Sequence, residues 1–396
     1  MIRIPKLFSV SERRKTGGGL NSASPRLNHM KHRVTAQVNL DRIAQNYNYI
    51  RSLVGSARVM AVVKADAYGH GAGIVSNMLE SIGCTDFAVA CLSEAQELRA
   101  SGVKGNILIL GPTDAKMINE VIEGDFIQTV DSFEYAKALS KYGCVRVHIK
   151  VDTGMSRLGI YCHSEAFVSP CADEISSIAS LENISIEGIF THFADSDGDG
   201  EQFTRWQYKI FSALLSELES RNISVGIRHC CNSAATIRYP EMHLDMVRAG
   251  IILYGLMPSA NIQDENIRPA MRLSARVCAV HTLKAGDCVS YGCGYRAKSD
   301  TRVAVIAIGY ADGFSRVYSG KELIRINGKS FATVGKICMD MCMVDIGLDF
   351  ECSVRDEAVI FETSEDIDKL ASALGTINYE ILCSLKHRVK LEYISE

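Results

Sequence analysis

The stretch Ala61–Gly71 reads AVVKADAYGHG, and the rest of the chain is best interpreted from it. Its first three residues are apolar and either small or β-branched, which is typical of a strand buried on both faces. Lys64 ends this strand, and the polar, glycine-containing turn that follows predicts the start of a helix. Taken alone, a lysine here would more simply reach out to solvent. Barrel and open α/β folds, however, keep their chemistry at the ends of their strands.

Beyond this stretch, strand-like and helix-like segments alternate. A first strand is predicted at 34–40, and Asp41 is expected to cap a helix through Ile50. Eight further strands with intervening helices predict a (β/α)8 barrel, with a doubly wound open sheet as the alternative. The eight strands are predicted at Arg58–Lys64, Phe87–Cys91, Asn106–Leu110, Phe126–Val130, Val145–Val151, Ser185–Phe193, Ile227–Cys231 and Leu244–Val247.

After Gly255 the alternation stops. Residues 257–269 read as a linker, and strands without intervening helices follow, which indicates a mostly β second domain. We therefore expect an extension at 1–31, a barrel at 32–258 (unless strand 34–40 joins the second domain) and the β domain at 259–396. Its strands are predicted at Leu273–Thr282, Asp287–Tyr291, Arg302–Ile308, Leu323–Ile326, Thr333–Val344 and Ala358–Phe361, with helices near Ile367–Leu374 and Tyr379–Leu385.

Composition excludes several classes of protein. The chain has 396 residues, of which 47% are hydrophobic, and its net charge of -3 gives no reason to expect nucleic acid or a membrane as partner. No apolar run approaches the ~18 residues that span a bilayer. The 14 cysteines are scattered, which favours reduced thiols in the cytoplasm. Cys338 and Cys342 lie four apart without a second close pair, so no metal site is expected.

The first 29 residues are basic and contain a run of three glycines. They resemble an organelle transit peptide loosely, without a clear amphipathic pattern. Met30 precedes the first patterned segment, so translation from Met30 is the alternative to a disordered arm. We expect an extension without a role in function.

In the barrel interpretation, polar residues that follow several strands meet at one mouth. Ser233 and the backbone of Gly250–Ile251 fall in the loops after the seventh and eighth strands, where barrels commonly bind phosphate. Singly, each is better explained as a helix cap or a turn. Together with a strand-end lysine they indicate pyridoxal 5'-phosphate, a phosphorylated cofactor that forms a Schiff base. The residues at this mouth are Lys64, Lys150, Asp152, Thr191, His192, Asn232, Ser233, Arg248 and Gly250.

The order of motifs along the chain resembles the alanine racemases, a family of fold-type III pyridoxal-phosphate enzymes, over about residues 32–390. The motifs are AVVKADAYGHG, VHIKVDTGMSRLG (147–159), THFA (191–194), CNSAA (231–235), DMVRAGIILYG (245–255), VSYG (289–292), IGYADG (308–313) and VGKICMDMCMVD (334–345). The resemblance implies a barrel followed by a β domain and interconversion of L- and D-alanine, which would supply D-alanine for peptidoglycan.

The resemblance also implies two bases, one on each face of the cofactor. Lys64 matches the Schiff-base lysine, and Tyr291 matches the opposing base, which a partner subunit contributes in a head-to-tail homodimer. Racemisation needs both because the proton leaves one face and returns on the other. A phenol with a pKa of ~10 needs cations and hydrogen bonds to act as a base at neutral pH.

Other site residues follow from the same resemblance. Arg248 matches the arginine that faces the pyridine nitrogen, and His192 the histidine bonded to it. Arg157 matches the residue that binds the substrate carboxylate, and Lys150 a lysine that is carbamylated in many relatives. Tyr68, Ser233, Gly250 and Ile251 match the phosphate site, with Asn232 beside it, while Tyr310, Cys338, Met339 and Asp340 match the substrate-binding residues of the partner subunit.

Two positions depart from the common family pattern. Asp66 replaces an asparagine, which puts little in doubt, and His387 replaces a tyrosine that borders the pocket in some members. A pocket separates side chains that differ by one small group by only ~1–3 kcal/mol, so a serine or broad-specificity racemase is the alternative. A decarboxylase is disfavoured because Arg248 stands where that chemistry needs an acid. A non-catalytic pyridoxal-phosphate-binding barrel would lack the β domain.

Overall fold

A computed structural model describes residues 32–395 of the chain. The expected extension at 1–31 lies outside these residues. The helices of the described part are α1 (Leu40–Val54), α2 (Lys64–Gly69), α3 (Ala72–Ser81), α4 (Leu92–Ala100), α5 (Ile118–Glu123), α6 (Phe133–Leu139), α7 (Val168–Ala179), α8 (Gln202–Ser220), α9 (Ser233–Arg238), α10 (Ser364–Leu374) and α11 (Asn378–Cys383).

The first half of the chain is a barrel of parallel strands surrounded by helices. Strands such as Asp86–Val89 and Ile127–Val130 are buried at every position, as parallel strands covered on both faces must be. The strands of this half are β1 (Val34–Asn39), β2 (Arg58–Val62), β3 (Asp86–Val89), β4 (Asn106–Ile109), β5 (Ile127–Val130), β6 (Val145–Asp152), β7 (Ile160–Tyr161), β8 (Ile184–Phe190), β9 (Ile227–His229) and β10 (Met246–Ala249).

The strand order β10-β2-β3-β4-β5-β6-β8-β9 brings the two ends of the sheet together. Between β9 and β10, the Asp245 N–H donates to the Arg228 carbonyl at 3.1 Å and the Arg248 N–H to the Cys231 carbonyl at 3.0 Å. The eight-stranded barrel is therefore confirmed, and the doubly wound open sheet is excluded. Several predicted strand limits shift by up to three residues, and β10 begins two residues later than predicted, after Leu244 takes a left-handed φ of 54°.

The second domain is mostly β, as expected from the sequence. Its main sheet has the order β16-β15-β18-β11-β1-β19, so the first strand of the chain pairs with this sheet and lies outside the barrel. Its strands are β11 (Met271–Leu283), β12 (Cys288–Val289), β13 (Tyr295–Arg296), β14 (Thr301–Ile306), β15 (Glu322–Ile326), β16 (Lys329–Ala332), β17 (Cys342–Asp345), β18 (Glu357–Phe361) and β19 (Lys390–Ile394).

Three local predictions are wrong. The continuous strand expected at Thr333–Val344 is mostly irregular, because Gly335 adopts a φ of 68° where its backbone closely approaches Val289. The strand expected at Asp287–Tyr291 ends at Val289, since Ser290 takes a φ of 64°. The cap of α1 is the Asn39 side chain, which accepts from the Arg42 N–H, and not Asp41.

The two halves of the chain share one continuous apolar core. The C-terminal helix α11 packs on α2, where a side chain at Gly69 would lie 2.7 Å from the Leu382 carbonyl oxygen. Among residues 32–395, no helix combines the length and the apolar character required to cross a bilayer. The 14 cysteines, all in the described part, are free thiols.

Candidate active site

The segment that carries Lys64 is a left-handed helical turn. Residues 65–68 have φ values between 52° and 55°, although none of them is glycine. Each such residue costs about 1–2 kcal/mol relative to a right-handed conformation, so other contacts must hold the turn. The sequence predicted a turn at this place but not its handedness.

Three side chains hold the turn through its backbone. The Glu94 carboxylate accepts from the N–H groups of Ala65 and Ala90, each at 2.7 Å. His70 contacts the carbonyls of Ala67 at 3.0 Å and Tyr68 at 3.1 Å through Nδ1, which therefore carries the proton. Asp66 accepts from the Ala72 N–H at 2.7 Å. These bonds direct Lys64 and Tyr68 to the mouth of the barrel.

The mouth of the barrel is a cavity of about 680 Å³. Nine of the predicted site residues line it, and four of these have basic side chains, so the cavity suits an anionic ligand. These nine are Lys64, Tyr68, Lys150, Arg157, His192, Asn232, Ser233, Arg248 and Gly250. Ile251, the next residue after Gly250, is fully buried and does not line the cavity. The cavity is also lined by Tyr379 and Cys383 of α11, which the sequence analysis did not single out.

Arg248 lies within β10, and not after it as predicted from the sequence. Its guanidinium donates to Nδ1 of His229 at 3.0 Å and to Nδ1 of His192 at 3.1 Å. It also donates to two backbone carbonyls, those of Thr191 and Cys230. Burial lowers the pKa of Arg248 to about 10. Burial, and then Arg248, lower the pKa of both histidines well below the usual value, so both rings are neutral acceptors.

A third histidine, His148, extends this chain of hydrogen bonds into the barrel. Because Nδ1 of His229 accepts from Arg248, its Nε2 carries the proton and donates to Nδ1 of His148 at 2.9 Å. Burial lowers the pKa of His148 to about 3. The sequence analysis missed both residues. The available signal was that His148 lies two residues before Lys150 and so shares its face of the strand.

Lys150 is almost fully buried at the same mouth. Its Nζ donates to the Val151 carbonyl at 2.6 Å and lies 5.5 Å from the centre of the Phe190 ring. Burial, followed by the charge of Arg248, lowers the pKa of Lys150 to about 7. A large part of this amine is therefore neutral at physiological pH. The neighbouring Asp152 instead accepts from backbone N–H groups of its own loop and contacts His163 at 3.1 Å.

One corner of the cavity fits a phosphate group. The Ser233 hydroxyl accepts from the Gly250 N–H at 3.0 Å, and a Cβ at Gly250 would lie 2.7 Å from the Tyr68 hydroxyl oxygen. The corner is thus built of two hydroxyls and a backbone without a side chain, which suits close approach of phosphate oxygens. Asn232 caps α9, where its side chain accepts from Ala235 and Ser196.

Tyr291 lines a different cavity, of about 580 Å³, on the second domain. Its side chain is 69% exposed. Cys338, Met339 and Asp340 line the same cavity, whereas Tyr310 is exposed and lines neither. One chain therefore divides the predicted site residues between two cavities, with Lys64 in the first and Tyr291 in the second.

Asp340 is held in an ionic cluster that the sequence analysis missed. Arg388 donates to its carboxylate at 2.7 Å, and Arg33 donates to its carbonyl at 2.7 Å. Both arginines also pair with the fully buried Asp312. The cluster fixes the loop that carries Met339. His387, the departure noted in the sequence, is exposed and does not line either cavity.

Within residues 32–395, no group of three or more His, Cys, Asp and Glu side chains is arranged to hold a metal ion. Lys150 and Arg248 of the first cavity and Asp340 of the second instead form hydrogen bonds or ion pairs within the protein.

Comparison with protein families gives two matches. Residues 38–258 match the family "Alanine racemase, N-terminal domain", and residues 270–393 match "Alanine racemase, C-terminal domain". Among curated proteins, the chain is 43% identical to an alanine racemase of Desulforamulus reducens, over 92% of this chain and 100% of that protein. It is 41% identical to alanine racemase 1 of Clostridium acetobutylicum, over 91% and 95% of the two chains.

Solved structures give the same result. An alanine racemase of Clostridium difficile 630 superposes with a TM-score of 0.87 at 36% identity, covering 92% of this chain and 97% of that chain. An alanine racemase of Bacillus anthracis with bound L-Ala-P superposes with a TM-score of 0.85 at 32% identity, covering 92% and 96%.

Proposed function

The chain belongs to the alanine racemase family, and from this premise we propose that it interconverts L-alanine and D-alanine with pyridoxal 5'-phosphate as cofactor. The observation that carries the proposal is the cavity at the barrel mouth. It joins a partly buried lysine, a buried arginine and a corner built of two hydroxyls and the Gly250 backbone in one space of about 680 Å³. D-Alanine made in this way would supply the synthesis of peptidoglycan.

Each part of the cofactor has a partner in this cavity. When bound, pyridoxal phosphate supplies an electron-withdrawing ring that acidifies the proton on the amino acid Cα. We assign the phosphate to Tyr68, Ser233, Gly250 and the adjacent Ile251, and the covalent attachment to Lys64. Arg248 would face the ring nitrogen. Its guanidinium stays protonated, so it donates a hydrogen bond to the ring nitrogen but does not transfer a proton to it. The unprotonated ring nitrogen limits how strongly the ring withdraws electrons.

The proton transfers need one base on each face of the substrate. Burial, and then the charge of Arg157, lower the pKa of Lys64, so a larger share of this amine is neutral and able to accept a proton. Tyr291 would serve the opposite face. Tyr291 lies in another cavity of its own chain and is largely exposed. This supports the proposal that its side chain enters the barrel mouth of a partner subunit.

We propose a head-to-tail homodimer on this basis. In each site, one subunit would contribute Lys64 and the cofactor cavity, and the partner would contribute Tyr291. Met339, Cys338 and Asp340 line the same second cavity as Tyr291 and would enter with it, while Tyr310 would lie near the entrance. A closed two-fold pairing produces two such sites.

Arg157 would bind the substrate carboxylate and the phenolic oxygen of the cofactor, and Lys150, once carbamylated, would orient Arg157. Carbamylation needs a neutral amine, and the pKa of Lys150, which burial lowers to about 7, supports this modification. The carbamate would replace a cation by an anion close to Arg157 and Arg248. The buried carbamate on Lys150 would then carry a negative charge that the positive charges of Arg157 and Arg248 neutralise.

The free state of all 14 cysteines supports a reducing compartment, and we propose the cytoplasm.

The experiment that tests the proposal is a racemase assay on the purified chain with L-alanine, D-alanine and L-serine, with and without added cofactor. We expect cofactor-dependent conversion of both alanine enantiomers, faster than conversion of L-serine. Borohydride reduction should then fix the cofactor to Lys64, as seen by peptide mass. A Lys64→Ala variant that still binds the cofactor covalently and racemises alanine would contradict the assignment. Equal rates on alanine and serine would favour a broad-specificity racemase.

A further inference from the structure

The position of Lys64 depends on a backbone conformation that the local sequence does not favour. The left-handed turn at residues 65–68 begins directly after Lys64, so any rearrangement of the turn would redirect the lysine side chain. No glycine in these four positions makes the conformation cheap. A contact from outside the turn must therefore select it.

Glu94 provides that contact at the end nearest to Lys64. It lies in the first turn of α4, and its two carboxylate oxygens accept from different backbone segments. One oxygen accepts at 2.7 Å from the N–H of Ala65, which is the first residue of the left-handed turn. The other accepts from the Ala90 N–H at 2.7 Å, just after β3. One carboxylate thus ties the lysine turn to the neighbouring strand of the barrel.

The charge of Glu94 also acts on the lysine amine. Burial lowers the pKa of Lys64 most, and the cations Arg157 and Arg248 lower it further. Glu94 from α4 and Cys383 from α11 raise it. The carboxylate therefore opposes the surrounding positive charge and limits how far the Lys64 pKa falls.

We propose that Glu94 is a positioning residue of the racemase, which aims Lys64 into the cofactor cavity by holding the left-handed turn against β3. The inference rests on the proposed role of Lys64 as the lysine that binds the cofactor. Glu94 does not line the cavity, so it acts through Lys64 and not on the substrate.

Two substitutions separate the effect of the hydrogen bonds that Glu94 accepts from the effect of its negative charge. Glu94→Gln removes the charge and turns an amide NH2 toward one of the two backbone N–H groups. Glu94→Asp keeps the charge but is one methylene shorter, so it cannot span both N–H groups. Glu97→Gln is the matched control, since it removes an exposed carboxylate from the same helix.

The measurement is cofactor binding to the full-length chain freed of cofactor. The rate at which bound-cofactor absorbance appears is recorded as a function of pH, together with the Kd for pyridoxal phosphate and the melting temperature. Only a neutral amine attacks the cofactor aldehyde, so the midpoint of the pH profile reports on Lys64.

We expect Glu94→Gln to move the midpoint to lower pH and to raise the Kd at least about tenfold, as loss of a charge-assisted hydrogen bond does. Glu94→Asp should raise the Kd but keep the midpoint, and Glu97→Gln should change neither. If Glu94→Gln lowers the melting temperature while midpoint and Kd stay as in the wild type, Glu94 is only structural and the proposal fails. A Lys64→Ala chain that develops the same absorbance would instead show that the lysine assignment itself is wrong.

Discussion

Replacement of Gly250 by alanine tests the phosphate corner of the cavity. A Cβ at this position would lie 2.7 Å from the Tyr68 hydroxyl oxygen and 3.6 Å from the Ser233 hydroxyl oxygen. The Tyr68 side chain has little room to retreat, because its buried ring lies 4.9 Å from the ring of Tyr254 and 6.1 Å from that of Tyr379. The φ of Gly250 is −111°, so the added methyl group acts through space and not through a left-handed backbone.

Two effects follow, one on stability and one on cofactor binding. Forcing a methyl group into this packing should destabilise the fold by about 1–3 kcal/mol, which a melting experiment measures. If the Tyr68 hydroxyl is displaced, its hydrogen bond to a charged phosphate is lost, which is worth about 1.5–3 kcal/mol. The Kd for pyridoxal phosphate should therefore rise about 10- to 150-fold.

The assay is a titration of the cofactor-free variant with pyridoxal phosphate, followed by absorbance or by the change in protein fluorescence. Gly200→Ala is the control, since a Cβ at Gly200 would meet no heavy atom within 4 Å. We expect the control to bind as the wild type does. Wild-type affinity and stability in Gly250→Ala would refute the assignment of the phosphate to this corner.

Three further predictions concern the bases, the buried lysine and the buried histidines. Tyr291→Phe should slow exchange of the α-proton with deuterated water more for L-alanine than for D-alanine, and equal slowing would argue against opposed bases. Lys150, whose pKa burial lowers to about 7, should show a carbamate signal with ¹³C-labelled CO2 that grows from pH 6 to pH 8. No signal in the wild type, or the same signal in Lys150→Gln, would contradict this. Burial lowers the pKa of His148 from 6.5 to about 3, so the folded state binds fewer protons than the unfolded chain, and stability falls as the pH drops below 6.5. Between pH 8 and pH 5 the loss should be about 2 kcal/mol in urea unfolding, and His148→Gln should remove that share of the pH dependence. An unchanged dependence in the variant would show that another group causes it.

The barrel was predictable because each buried parallel strand corresponds in the sequence to a short apolar run between helical segments. The left-handed turn after Lys64 was not, since its residues are alanine, aspartate and tyrosine, for which local preference gives a right-handed turn. Glu94, which lies about 30 residues later in the chain, accepts from the first N–H group of this turn. Such a choice comes from tertiary contacts that local pattern does not encode.

The residues of the candidate site likewise fall into two groups, those that the sequence predicted and those that depend on tertiary contacts. Lys64, Ser233 and Gly250 follow strands or begin loops at the barrel mouth, so strand order alone predicts that they meet. The His229–His148 contact depends on two inward-facing side chains of strands separated by β8, and no local pattern announces it. Likewise, Tyr379 reaches the cavity because α11 packs on α2, a contact between the two halves of the chain.

In the irregular segment at 333–341, the sequence pattern predicted a strand that does not form. Its apolar residues suggested a strand, but Gly335 and the Ser290 turn pack closely together and interrupt the pairing. The resulting loop carries Cys338 to Asp340 on the face that also holds Tyr291.

The central claim is that Lys64 and Tyr291 of different subunits make one site, and a purified mixed dimer tests it most directly. One subunit carries Lys64→Ala with one affinity tag, the other carries Tyr291→Phe with a second tag, and each variant alone should be nearly inactive. In the mixed dimer one site keeps both wild-type side chains and the other keeps neither, so we expect about half the activity of the wild-type dimer. A mixed dimer as inactive as its parents would contradict the shared site.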